Sequence, residues 1–298
     1  MRMTVMKPLS PARLKEVRPD LKAMIVGRID ALVGQGWFDA MAEIARFLPV
    51  EAVSHFIGLP DVGRERLLAW AAAAFNAIGP DQDPADVVSV REAFAFMASL
   101  SEDKVRDGSW AGDLFVAART GRLSMAEAMA ALSAYVIPSL DTTILAKGHL
   151  LANLARHPEQ WAMLRARPEM IPAAVLEAVR RDSVLRWFAR VAVRDHDVDG
   201  VVVPEGARVM LLYGCANRDE RRYADPDRFD ITRDARDHLA WGTGPHMCAG
   251  MNLARIEMEV LLEALVEAGV TLEAGNPVIS ANRGLYGFEA LPLRIERG

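Results

Sequence analysis

Cysteine is nearly absent: the 298 residues contain two, Cys215 and Cys248. They lie far apart in unlike contexts, so no disulfide framework is available, and a reducing cytoplasm is the expected location. An excess of basic residues is missing too. Lysine and arginine number 35 against 40 aspartates and glutamates, a net charge of −5, which gives no general attraction to nucleic acid or anionic lipid. The opening stretch Met-Arg-Met-Thr-Val-Met-Lys-Pro-Leu-Ser-Pro holds no apolar run long enough for a signal peptide or membrane anchor, so no membrane association is expected. Internal repeats and low-complexity segments are also lacking. Aromatic residues are scarce at 7%, but 51% of the chain is hydrophobic, enough to bury a sizeable core in one large domain or two small ones.

What is present reads mostly as helix. Apolar residues recur at helical spacing from Pro11 to about Leu48, broken at Gly34-Gln-Gly36. Gly58-Leu-Pro60 is a second break, Arg64 to Ile78 a further helix, and Pro80 to Pro84 a loop. Ser124-Met-Ala-Glu127 is a capping box. The apolar, alanine-rich segment after it, running to Arg156-His157-Pro158, is hydrophobic nearly all round and should cross the interior. Pro168 to Asp182 predicts a shorter helix. The valine-rich runs at 191–193, 198–203 and 208–212 predict small strands around a Pro204-Glu-Gly206 turn. Ala249 to Glu267 predicts a helix with Leu253, Ile256, Val260, Leu261 and Leu265 on one face. The last thirty residues suggest a terminal hairpin.

The most informative stretch is His238-Leu-Ala-Trp-Gly-Thr-Gly-Pro-His-Met-Cys-Ala-Gly-Met-Asn-Leu-Ala-Arg255. A glycine-rich loop carries Cys248 directly into an amphipathic helix, bracketed by Gly242, Gly244 and Gly250. Peptide N–H groups and the positive end of a helix dipole beside the sulfur favour thiolate over thiol, and an open loop leaves that thiolate approachable from one side. Three plainer readings compete. A lone cysteine is usually a small buried hydrophobe. Zinc held by His238, His246 and Cys248 lacks the paired spacing of structural sites. A dinucleotide loop needs Gly-x-Gly-x-x-Gly after a strand, and the interval from Gly244 to Gly250 is too long.

The stretch resembles the haem-ligand signature of the cytochromes P-450, Phe/Trp-Gly-x-Gly-x-His-x-Cys-x-Gly, with every fixed position filled. The resemblance extends over essentially the whole chain. It implies a mainly α fold with small β-sheets forming a single haem-binding domain over residues 1–298, and haem b held by Cys248 as the axial thiolate. His246 and Arg190 match positions that bind haem propionates; Arg2 falls where members carry the arginine of a His-x-x-x-Arg pair, and His238 where many show a further histidine. Glu177-Ala-Val-Arg180 resembles the family's Glu-x-x-Arg, with Arg228 of Asp225-Pro-Asp-Arg-Phe as the third member of a structural network. Pro138-Ser-Leu-Asp141-Thr142-Thr143 resembles the acid–alcohol pair in which Asp141 and Thr142 deliver protons for O–O cleavage, helped by electron donation from the thiolate. Here Pro138-Ser139 stands where members usually have Ala/Gly-Gly; proline removes a helix hydrogen bond to the Ala134 carbonyl, and Ser139 places a side chain where glycine leaves room.

The implied activity is a haem-thiolate monooxygenase inserting one oxygen atom of O2 into a small organic substrate, by hydroxylation or O-dealkylation. Electrons would come from a ferredoxin and its NAD(P)H-dependent reductase, docking on the cysteine side near Arg255. The stretches 68–80, 139–143, 216–219 and 230–233 are similar to bacterial members that oxidise para-substituted aromatic carboxylic acids, with Phe75 and Phe188 as candidate pocket residues. The resemblance begins well inside the usual family length, so the expectation is a shortened domain lacking the N-terminal sheet and the pocket roof. The alternative is a non-catalytic haem-binding remnant, or a fragment from a misplaced start.

Overall fold

The computed structural model describes residues 6–61, 66–78, 82–282 and 284–298. Helix α1 (Pro11–Leu32) buries Leu14, Leu21, Ile25, Ile29 and Leu32, one stripe at helical spacing. Gly34 and Gly36, both with left-handed φ, end it, and the chain turns into strand β1 (Trp37–Asp39). The expected break at Gly34–Gly36 is present, but the helical reading resumed after it is corrected by this strand: Asp39 Oδ1 accepts the N–H groups of Met41 (3.0 Å) and Leu291 (2.9 Å), which anchors β1 to the far end of the chain. Two π-turns, Met41–Ala45 and Val53–Ile57, flank the short α2 (Phe47–Ala52). Gly58, at φ +80, closes this segment where a Cβ would meet Ser109 at 2.3 Å.

Helix α3 (Leu67–Ile78) packs on α4 (Pro84–Ala98). The helix expected from Arg64 is described from Leu67 onward, since 62–65 and 79–81 lie outside the described residues. The loop expected to reach Pro84 stops at Asp83, whose carboxylate caps α4 through the Ala85 N–H. Next come α5 (Trp110–Arg119) and α6 (Met125–Val136). The capping box is present: Ser124 Oγ accepts the Glu127 N–H (3.2 Å), and Glu127 accepts the Ser124 N–H (2.8 Å).

A tight turn at Ile137–Ser139 separates α6 from α7 (Asp141–Arg156). Everything from Thr143 to Leu154 is buried, so the second half of the apolar segment runs through the interior, while α6 keeps an exposed face at Met125, Ala126, Ala130 and Ala134. Helices α8 (Pro158–Ala166) and α9 (Ile171–Arg181) follow, with the expected start at Pro168 taken up by a separate short turn. Strands β2 (Phe188–Val191) and β5 (Arg208–Leu211) pair antiparallel, as do β3 (His196–Val198) and β4 (Val201–Val203). After the short α10 (Tyr213–Ala216) comes a long irregular segment, then α11 (Met251–Glu267), which packs on α1 and α9.

The terminal hairpin consists of β7 (Val278–Ile279) and β8 (Phe288–Ala290). Leu291-Pro-Leu293, read from sequence as part of it, instead leads into β9 (Pro292–Arg297), which lies between β1 and β6 (Val270–Ala274). Leu293 and Ile295 point from β9 into the core, on one face of the strand, while β1 and β6 pair with its two edges.

Candidate functional site

The loop before α11 is built by its own backbone. Gly242 and Gly244 both take φ +67, a left-handed geometry that a side chain would strain. The Cys248 N–H donates to the Trp241 carbonyl at 2.8 Å and the Met247 N–H to that of Gly244 at 3.1 Å, closing the loop on itself. Cys248 is exposed and not in a disulfide. Helix α11 starts three residues later, so its unpaired first-turn N–H groups lie next in sequence to the sulfur. Gly250 lies beside the sulfur: a Cβ there would come 4.0 Å from Cys248 Sγ, an ordinary contact distance.

His238 stands at the head of the same loop, buried against Trp241 with ring centroids 4.8 Å apart. Its Nδ1 accepts the Ala240 N–H at 3.0 Å, so the neutral ring carries its proton on Nε2. Burial pulls its pKa down to about 4. His246, by contrast, is exposed on a tight turn.

Arg190, also exposed, lies on β2 and turns its guanidinium to the Ala189 carbonyl (2.9 Å); it makes no ion pair among the described residues. Phe188, two positions earlier and therefore on the same strand face, shares a small apolar cleft with Phe75, Ile78, Leu185, Trp187 and Gly284. The two phenylalanines singled out in the sequence thus meet in one cleft. Arg2 lies outside the described residues.

Asp141 and Thr142 open α7 immediately after the proline turn. The Thr142 hydroxyl donates to the Pro138 carbonyl at 2.8 Å, the group four residues back that the interrupted helix leaves available. Ser139 Oγ turns away onto α6, donating to the carbonyls of Tyr135 and Val136. Asp141 is largely withdrawn from water, which pushes its pKa up to about 6 against the opposing charge of Arg46.

The buried network of Glu177 and Arg180 exists as expected, with one correction. The third arginine is Arg233, whose Nε lies 3.3 Å from Glu177 Oε1; Arg228 is exposed on the loop. Arg233 reaches back over the turn to the carbonyls of Ala224 (2.7 Å) and Asp225 (3.1 Å), filling the place that spacing gave to Arg228. Asn217 was missed in the sequence. It is buried, its carbonyl accepts Arg180 Nη1 at 2.7 Å, and its Oδ1 accepts the Leu239 N–H at 2.6 Å. Glu177, Arg180 and Asn217 therefore tie α9 to the start of the cysteine loop. Lys147 and Glu257, a buried ion pair at 2.6 Å, were also missed; a lysine within an otherwise apolar helix was the available signal.

The residues present fit a haem. One exposed sulfur offers an anionic donor, the left-handed Gly242 and Gly244 shape the loop that presents it, and Arg190 and His246 stand exposed for carboxylates. Among the described residues no three His, Cys, Asp or Glu side chains cluster to hold a bare ion. A single sulfur donor suits a cofactor that carries most of its metal's ligands itself, as a porphyrin does.

Comparison with known proteins agrees with this donor set. A family model described as cytochrome P450 matches residues 99–268. Cytochrome P450 CYP199A2 of Rhodopseudomonas palustris is 35% identical over 299 residues, covering 99% of this chain and 73% of that protein. The cytochrome P450 monooxygenase PikC of Streptomyces venezuelae is 32% identical, covering 100% of this chain and 74% of its own. Among solved structures, P450BioI in complex with an acyl carrier protein ligated to hexadec-9Z-enoic acid superposes with a TM-score of 0.90 at 28% identity, covering 99% of this chain and 78% of that one. Proteins of the matching family are monooxygenases that hold haem b through an axial cysteine thiolate. With its loop signature complete and its sequence aligned over nearly its full extent, this chain belongs to the cytochrome P450 family.

Proposed function

We propose that this chain is the haem-binding body of a bacterial monooxygenase that hydroxylates or O-dealkylates a para-substituted aromatic carboxylic acid. Electrons arrive from a ferredoxin and its NAD(P)H-dependent reductase. The observation that carries this reading is the exposed Cys248 at the head of α11, framed by Gly242, Gly244 and Gly250. Cys248 would hold the haem iron through its sulfur, and Arg190 and His246 would pair with the haem carboxylates. The group would supply redox chemistry towards dioxygen. Asp141, with a pKa of about 6, takes up and gives back protons near neutral pH. The Thr142 hydroxyl donates its hydrogen bond to the Pro138 carbonyl, which leaves its oxygen free to accept one. Phe75, Trp187 and Phe188 line one apolar cleft, and Arg255 stands on the cysteine side, where an acidic ferredoxin would dock.

A second reading, a chain that binds haem without turning over, is favoured by one observation. The β2–β5 ribbon leaves Val191, Met210 and Leu212 exposed at 60%, 56% and 49%, a face with no cover among the described residues. The carbon monoxide difference spectrum and a 4-methoxybenzoate titration separate the readings. A thiolate band with a substrate-induced spin-state change supports the monooxygenase. A thiolate band with no response to the acid removes the reason for naming that substrate class, and no haem uptake removes both readings.

A further inference from the structure

Lys147 and Glu257 form an ion pair at 2.6 Å with the two side chains 0% and 2% exposed. Lys147 lies in the middle of α7, and Glu257 lies on α11. Burial acts on each against its charge, pushing the lysine pKa down and the glutamate pKa up, while each partner opposes the other's shift. Such a pair is a poor device for stability alone, because apolar residues of similar volume usually serve as well or better. A different role follows from where it sits.

Helices α7 and α11 both pack on α9. Among the described residues, Lys147–Glu257 is the one ion pair joining them directly. The other buried polar groups on the two helices look elsewhere, His149 to the Tyr286 carbonyl, Asn153 to Asp182 and Glu259 to Arg18, and buried aliphatic side chains such as Leu150, Leu151, Val260 and Leu261 resist sliding less sharply than a charge pair does. A buried charge pair does fix one, since sliding either helix leaves a charge unpartnered. Both helices begin at the candidate site. Lys147 is six residues past Asp141, and Glu257 is six residues past Met251 at the head of α11, so at about 1.5 Å per residue each lies about 9 Å along its helix. We propose that Lys147 and Glu257 are positioning residues: their bridge sets the spacing between the Asp141–Thr142 turn and the Cys248 loop, and with it the width of the crevice for the cofactor. The inference rests on the haem reading and concerns side chains that do not touch the cofactor.

The test compares haem affinity and the spectrum of the carbon monoxide complex with thermal unfolding of the haem-free chain. Three variants are needed: the apolar double Lys147→Met/Glu257→Leu, the charge-swapped double Lys147→Glu/Glu257→Lys, and Glu257→Asp, which keeps the charges and shortens the bridge. The apolar double is expected to melt at or above the wild-type temperature, to bind haemin about tenfold more weakly, and to show a larger share of its carbon monoxide complex with a neutral thiol ligand. The charge-swapped double is expected to recover both haem readouts. Glu257→Asp decides the matter if the apolar double does not fold, with weaker haem binding expected at nearly unchanged melting temperature. Wild-type haem affinity and spectrum in a folded apolar double, or in Glu257→Asp, would overturn the positioning role. Failure of the unmodified chain to take up haemin is a separate result; it defeats the haem reading, and the positioning role with it.

Discussion

Glu177 accepts two hydrogen bonds from Arg180, three residues further along the same helix, at 2.7 and 2.8 Å, with both side chains fully buried. An exposed pair at this spacing contributes a few tenths of a kcal/mol. Here burial and the added partners Asn217, Pro226 and Arg233 change the scale, because removing one member strands the others. Glu177→Gln is expected to cost about 3–5 kcal/mol, read as a lowered urea midpoint or loss of soluble protein. A cost below about 1 kcal/mol would contradict the account.

Arg233 and Arg228 give a sharper contrast. Arg233→Ala removes the contact to Glu177 and three carbonyl contacts, and about 2 kcal/mol is expected. Arg228→Ala, at an exposed position, is expected to stay within about 0.5 kcal/mol of wild type. Denaturant titration of the two variants side by side checks the order, and a larger effect at Arg228 would reverse the assignment.

Asp141 makes stability depend on pH. Its pKa rises from 3.8 to about 6 on folding, so between those values the folded chain binds a proton that the unfolded chain has lost, and stability falls as pH rises through that window. Asp141→Asn removes the buried charge. The variant is expected to be more stable than wild type by about 1–2 kcal/mol above about pH 7, after discounting for partial exposure, with the gap closing below about pH 4. Melting curves across that range check it; a gap of equal size at both ends would exclude the titration of Asp141 as its cause.

His238 acts at the acid side. Its folded pKa lies near 4 against 6.5 when exposed, so the neutral ring's contribution is present above about pH 6.5 and is lost as pH falls towards 4. His238→Asn keeps an acceptor for the Ala240 N–H and does not titrate. Its unfolding free energy is expected to fall less steeply across that window, by up to about 2 kcal/mol. Parallel slopes for the two proteins would show that His238 does not carry the effect.

Much of the site was legible because it rests on local chemistry. The Gly242, Gly244 and Gly250 pattern around Cys248 needs only the backbone of one loop, and the Ser124–Glu127 box only one helix turn. The interrupted helix was visible in Pro138. Contacts made across long sequence separations were less legible. Trp37–Asp39 reads as a continuation of helix until Leu293 and Pro292, more than 250 residues later, arrive to pair with it. Arg233 takes the place expected for Arg228 because the loop folds back on itself, so that Arg233 bonds the Ala224 and Asp225 carbonyls as well as Glu177, a return that spacing does not encode. Lys147 showed only as a charge out of place on an apolar helix; its partner Glu257 lies 110 positions away.

The central claim is that the Cys248 sulfur holds haem iron as a thiolate. The most direct measurement is the reduced carbon monoxide difference spectrum of the haem-reconstituted chain beside that of Cys248→Ala, with both proteins checked for folding by circular dichroism. The account predicts the thiolate band in the first and its complete loss in the second, with little haem retained. Haem retained by Cys248→Ala with an unchanged Soret band would contradict it.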